Sequence, residues 1–341
     1  MIPGVELSSR TDAAVDVFPL LGKHGETYAV VCIKQLFAID SRCRLSRTPG
    51  ARVRPIDEPW EDDEAKEGSI RLPSDVAPRK PGTDVLVVGH AVSTDHAPVK
   101  SLDVLVRVGS VERIVRVFGP RIWQRGLVGI SLSEPQPFVE APLRWERAFG
   151  GTDPGGGREP LVEPRNPVGR GIARDPTALL HQLGPQIEDP GDLVSSPRSR
   201  PRPAGLSPIG RHFAPRRDYT GTYDERWKRE QMPLPPFDQD DRVHQCACPE
   251  LVISPHLFGG ERLEALHLDA NGPIGVTVPR IAFYVGARIR GDRVEHRPVL
   301  DTLILLCDEK KLELTWRACI RTPPRLADMP AVLVYEKETI R

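Results

Sequence analysis

The chain has 341 residues, with 47 Lys and Arg against 47 Asp and Glu and a near-neutral pI. That balance leaves no basic excess for a nucleic-acid partner, and no basic stripe stands out. The six cysteines are too sparse for a disulfide framework, and the length is enough to bury a sizeable core without one. The first residues lack a basic segment followed by an apolar run, and no apolar run is long enough to span a bilayer. A soluble cytoplasmic protein, with no nucleic-acid or membrane partner, is the expectation.

In chain order, residues 26–40 are rich in strand formers, with Tyr28, Val30 and Cys32 alternating. Residues 51–82 are polar and proline-bearing, acidic around Glu61, Asp62, Asp63 and Glu64, and read as loop. Residues 83–94 read as a buried strand. Residues 99–118 read as a hairpin, because Leu102, Val104, Val106 and Val108 alternate and Gly109-Ser110 suits a tight turn. Residues 127–132 form another short strand. Half of the 36 prolines then fall within residues 133–240. Proline removes amide donors and is kept out of helix interiors and central strands, so this third is expected to be largely irregular. It also carries Trp145, Phe149, Phe213, Tyr219, Tyr223 and Trp227, which argues against simple disorder. Strands resume at 263–268, 274–278 and 281–289. Residues 300–307 and 312–319, joined by Asp308-Glu309-Lys310-Lys311, form the clearest hairpin, and 331–335 close the series.

The fold class expected is mainly β: antiparallel, sandwich-like sheets, a long proline-rich irregular middle segment and one or two short helices. We expect one domain over 1–341, with a β region at 17–132, the loop region at 133–240 and a second β region at 241–338.

Two motifs stand out in the middle. Gly221-Thr222-Tyr223-Asp224-Glu225-Arg226-Trp227 has capping-box spacing from Thr222 to Glu225, predicting a helix from Tyr223 to Gln231 that Pro233 ends. Tyr223 and Trp227 then share a face, and Asp224 with Lys228 and Glu225 with Arg229 are placed to pair. Pro142-Leu143-Arg144-Trp145-Glu146-Arg147-Ala148-Phe149-Gly150-Gly151, if extended, points Leu143, Trp145, Arg147 and Phe149 one way. This motif is a recognition surface or a structural corner. Asn166-Pro167-Val168-Gly169-Arg170-Gly171 lacks the ending of a phosphate loop and reads as an ordered turn. His244, Cys246 and Cys248 alternate, but no further ligand with zinc spacing lies nearby. No nucleophile-elbow or metalloprotease motif occurs, so neither catalytic residue nor cofactor is assigned.

In order along the chain, Ala29-Val30-Val31-Cys32-Ile33-Lys34, the two motifs just named, the Asn166 turn, Leu234-Pro235-Pro236, Asp301-Thr302 and Leu314-Thr315-Trp316-Arg317-Ala318 resemble one bacterial family. It is domain-of-unknown-function family 2169, and the resemblance runs over about residues 17–334. It implies an adaptor-chaperone of type VI secretion. Its partner would be an effector carrying a spike-tip (PAAR-like) domain and, at loading, the spike protein. Cys248-Pro249 stands where the family tends to have alanine-proline. The partner-binding candidates are Trp145, Arg147, Phe149, Tyr223, Trp227 and Arg229, with Trp145, Phe149 and Trp227 equally readable as core. Two other classes stay open: a β-sandwich ligand- or carbohydrate-binding module, and a hydrolase with its site in the middle loops.

Overall fold

The computed structural model describes residues 5–60, 68–127, 129–323, 328–329 and 331–337. The acidic run at 61–64 lies outside them.

Residues 27–39 hold β-branched and aromatic side chains with no glycine or proline, and they form the longest strand, Thr27–Ile39. It lies between Ala14–Leu21 and Lys311–Arg321, antiparallel to both. Seven strands make this central sheet. From one edge they are Val252–Ile253, Thr83–Val88, Val299–Leu306, Lys311–Arg321, Thr27–Ile39 and Ala14–Leu21, with Leu45–Thr48 paired to the end of Thr27–Ile39. A five-stranded sheet is built on the hairpin Ser101–Val108 and Val111–Phe118, which turns at Gly109-Ser110 as expected. A four-stranded sheet joins Glu6–Arg10, Ala331–Lys337, Ala282–Ile289 and Asp292–His296. One apolar core runs through all three, from Val85 and Leu303 to Val104, Phe283 and Val332.

The protein is mainly β, and most pairings are antiparallel. Besides the two-residue pairing of Phe149–Gly150 with Arg170–Gly171, two pairings in the main sheets are parallel: Thr83–Val88 with Val299–Leu306, and Glu6–Arg10 with Ala331–Lys337. Each joins strands more than 200 positions apart, where no tight turn dictates direction. Several strands the sequence pattern did not announce are edge strands, among them Glu6–Arg10, Ala14–Leu21, Leu45–Thr48 and Asp292–His296, and the stretch 51–82, read as loop, holds the short pair Glu58–Pro59 and Ile70–Leu72. Edges carry charge and proline, as with Pro19 here, and so lack a clean alternation.

Residues 133–240 are irregular, with strands of two or three residues. They are ordered by side chains instead. Asn166, fully buried, donates from Nδ2 to the carbonyls of Trp145 (2.8 Å) and Phe149 (3.0 Å). Gly150 has φ +146°, and a Cβ there would fall on the Asn166 carbonyl. The Asn166 turn and the Gly150-Gly151 step are therefore two halves of one corner.

A buried charge network and an exposed aromatic face

The central sheet has one apolar and one polar face. Val85, Leu303, Leu314 and Trp316 lie on the first, where Trp316 meets Phe283 edge-on at 5.0 Å. The other face carries a row from Asp84 through Thr302 and Thr315 to Lys34. Glu313 and Arg317 flank it two positions either side of Thr315, and Asp301 lies in the β-bulge beside Arg317. Lys34 pairs with Asp75 (2.6 Å) and Glu313 (3.1 Å), and Arg54 grips Glu313 with two nitrogens (2.9 and 2.5 Å). Arg317 pairs with Asp301 (2.5 Å) and donates to the Asp75 carbonyl. Lys80 pairs with Asp84 (2.7 Å) and donates to Thr302 (2.8 Å).

All eight charged residues of this network are buried, four cations against four carboxylates. Burial raises the Glu313 pKa, but Lys34 and Arg54 outweigh it and hold the carboxyl at about 2. These groups neutralise one another beneath covering loops rather than opening into a cleft. The signal for Lys34, Asp84, Asp301, Glu313 and Arg317 was in the sequence, as charges within otherwise apolar strands, which are almost never buried unless paired; Arg54, Asp75 and Lys80 come from loops and carried none.

His244, Cys246 and Cys248 lie beside this network. His244 ends a short 3₁₀ turn, Asp241–His244, and not a strand. Burial pushes the Cys246 and Cys248 thiols up to about 12. Cys246 Sγ lies 3.2 Å from Asp84 Oδ2, and Cys248 Sγ lies 3.5 Å from the Gly205 carbonyl. Among the described residues no three of His, Cys, Asp and Glu are grouped to hold a metal ion.

Burial also pulls His244 down to about 4; Asp241 opposes this, and Arg317, Arg216 and Lys80 reinforce it. Unfolded histidine titrates near pH 6.5. Below that pH the unfolded chain takes up a proton that the folded chain refuses until about pH 4. Stability is therefore full above the unfolded pKa and falls as pH drops towards the folded one. The loss expected from about pH 7.5 to about pH 5 is about 2 kcal/mol. Urea midpoints at the two pH values should differ less in His244→Gln than in the wild type; equal differences would contradict this assignment.

The tryptophan motif at 142–151 is interior. Trp145 and Phe149 expose 3% and 1% of their surface. The backbone is not extended here: Trp145–Arg147 is a 3₁₀ turn, so the expected single face does not form. Trp145 Nε1 donates to the Ser207 carbonyl (3.0 Å), and its ring meets Phe213 edge-on. Phe149 packs with Trp123, Leu179 and Val194 in a second, smaller core. Arg147, half-buried, donates to Gln186 Oε1 (2.8 Å). Within this motif it is Arg144, not Arg147, that stacks on an aromatic, 4.2 Å over Trp60.

The second motif faces out. The only α-helix among the described residues is Glu225–Glu230, shorter than the 223–231 predicted. Asp224, not Thr222, is its cap, accepting the Trp227 N–H at 2.7 Å. Thr222 is taken by Asp238, which accepts its amide (3.0 Å) and hydroxyl (2.8 Å). Both residues are preferred caps, and the long-range bond to Asp238 removes Thr222 from the competition. The surface pairs are Lys228 with Glu225 and Arg226 with Glu230, rather than Asp224 with Lys228 and Glu225 with Arg229.

Tyr223 and Trp227 do share a face, their rings edge-on at 4.7 Å. Trp227 is half-buried, with Nε1 tied to the Leu234 carbonyl (2.9 Å). Tyr223, Met232 and Phe237 expose 54%, 61% and 56%, and Arg229 is exposed on the helix. The segment is anchored to the turn between Ala14–Leu21 and Thr27–Ile39. Gln231 Nε2 donates to the carbonyls of Lys23 (2.5 Å) and Pro235 (2.8 Å), and His24 stacks on Phe237 at 5.7 Å. Leu21 (49%) and Ile56 (72%) lie along the same side, lining a groove with Pro235. Thus five of the thirteen exposed large apolar side chains among the described residues gather on this one side, which scattered surface residues would not do. Phe237 was missed as a candidate; its signal was an aromatic directly after Pro235-Pro236.

The fold and this site define a mainly β scaffold that presents a proline-braced aromatic loop. The chain belongs to domain-of-unknown-function family 2169 (DUF2169), described as an uncharacterized protein conserved in bacteria, which it matches over residues 24–317. Neither a curated protein nor a solved structure matches the chain at significance. No helix among the described residues is long and apolar enough to cross a membrane.

Proposed function

We propose that this protein is a cytoplasmic adaptor-chaperone that binds a type VI secretion effector through its PAAR-like region and helps place it on the secretion spike. The observation that carries the reading is the gathering of Tyr223, Met232 and Phe237, all more than half exposed, around half-buried Trp227. Aromatic anchors on a pre-ordered surface are the residues that dominate protein interfaces. Three prolines, Pro233, Pro235 and Pro236, restrict the loop before binding and so limit the entropy lost on association. Of the six partner-binding candidates, Tyr223, Trp227 and Arg229 belong to the proposed contact surface.

Co-expression with a PAAR-like effector from the same cell is expected to yield a stoichiometric complex. Tyr223→Ala and Phe237→Ala should each weaken it about tenfold or more, as truncation of interface anchors does. Both side chains are exposed, so folding stability should change by about 0.5 kcal/mol or less. A soluble, stable effector that never co-purifies overturns the adaptor reading.

A further inference from the structure

The groove beside the helix Glu225–Glu230 holds about 360 Å³ and is lined by Trp227, Pro236 and Phe237 among others. Its charged lining is Asp224, Glu230 and Asp238 against Arg226 alone, a net of two negative charges. Arg226 is paired with Glu230 at 2.9 Å. Asp224 and Asp238 accept from the cap amide and from Thr222 and form no ion pair among the described residues; Arg226 acts on Asp224, and Lys23 on Asp238, only at longer range. Phe237 of this groove stacks on His24, which lines a second groove, and that groove shares Leu21, Pro78, Pro235 and Gln239 with a third. There Arg79 pairs with Asp241 at 2.6 Å and Arg211 with Asp57 at 3.5 Å, and the remaining lining charges, Lys23 and Glu26, are of opposite sign, so these grooves carry no net charge. The trough is therefore long, aromatic and proline-walled, and anionic at one end only.

We propose that this trough binds an extended, proline-bearing peptide segment whose arginine or lysine residues sit at the Asp224 and Asp238 end. The chemistry is specific in three ways. Trp227, Pro236 and Phe237 line the groove with flat apolar rings that suit a proline ring, and polyproline-type segments carry little ordering cost into aromatic grooves. A guanidinium beside Trp227 gains both an aromatic face and the carboxylates of Asp224 and Asp238. A path running past the hairpin turn at 22–26 suits an extended strand of peptide better than a folded surface. The effector of the adaptor reading would supply this segment, and to that extent the assignment rests on that reading.

The test uses the full chain and a displayed library of random peptides about twelve residues long, which reach about 40 Å when extended. Four of the five tryptophans are buried, so Trp227 is the one accessible to acrylamide, and its quenching reports occupancy of the groove. Selected peptides are expected to be rich in proline and in arginine or lysine, and to shield Trp227. They should bind Glu230→Lys about tenfold more weakly, and the difference should shrink at high salt. Glu230 is exposed, so that variant should melt like the wild type. The assignment is overturned if no peptide is enriched, if the enriched peptides are acidic or lack proline, or if Trp227 stays quenchable. An effector that co-purifies equally well with Glu230→Lys and Phe237→Ala variants keeps the adaptor reading and removes this groove from it. Basic peptides held in the trough with no effector captured would do the reverse.

Discussion

Arg317→Met is expected to destabilise the fold by about 3–5 kcal/mol, the usual cost of orphaning one half of a buried ion pair. Arg317 is 3% exposed and pairs with Asp301, which is fully buried. Its guanidinium also reaches Cys32 Sγ (3.4 Å), the Asp75 carbonyl and the Ala77 carbonyl (3.2 Å). Burial alone would lower its pKa; Asp301 and its neighbours outweigh that and raise it. Methionine fills much of the volume, so the loss is electrostatic: Asp301 is left charged in an interior that cannot hydrate it. The double variant Arg317→Met with Asp301→Leu should recover a large part of the loss, because an apolar pair carries no desolvation cost. Urea denaturation of the three proteins measures both numbers. A single variant within about 1 kcal/mol of the wild type would mean that the network adds little beyond packing.

Trp145→Ala is expected to cost about 3–5 kcal/mol, as deletion of a buried aromatic does. The indole is packed by Gly205, where a Cβ would lie 2.7 Å from the ring, and by Phe213 at 6.2 Å. Its removal opens a cavity and leaves the Ser207 carbonyl without its donor. The corner that Asn166 ties together through the Trp145 carbonyl should loosen with it. Limited proteolysis should then cut within residues 133–210, where the backbone has little secondary structure of its own. A variant that melts with the wild type and resists protease would place Trp145 outside the core. Tyr223→Ala should do the opposite, leaving melting unchanged while weakening partner binding.

The two tryptophan motifs looked alike in sequence, each an aromatic and charged run between proline-rich loops. Their fates differ because of residues far away. Trp145 is enclosed by 205–213, and Trp227 is held at the rim by its own neighbour Leu234 and by the turn at 22–26. The helix was legible because capping and i,i+4 spacing are local. Its cap was misassigned because Asp238, sixteen positions on, claimed Thr222.

The sequence by itself determined the β character, the two main hairpins at 101–118 and 299–321, the irregular proline-rich third and the family. These are carried by alternation, turn chemistry and motif order, all short-range. Tertiary structure decided the parallel pairings, the polar face on which Lys34, Asp301, Glu313 and Arg317 meet, and which aromatics are buried. Strand alternation says only that two faces exist. Which face is covered, and by what, depends on chain segments hundreds of positions apart, whose contacts form only when the sheets pack.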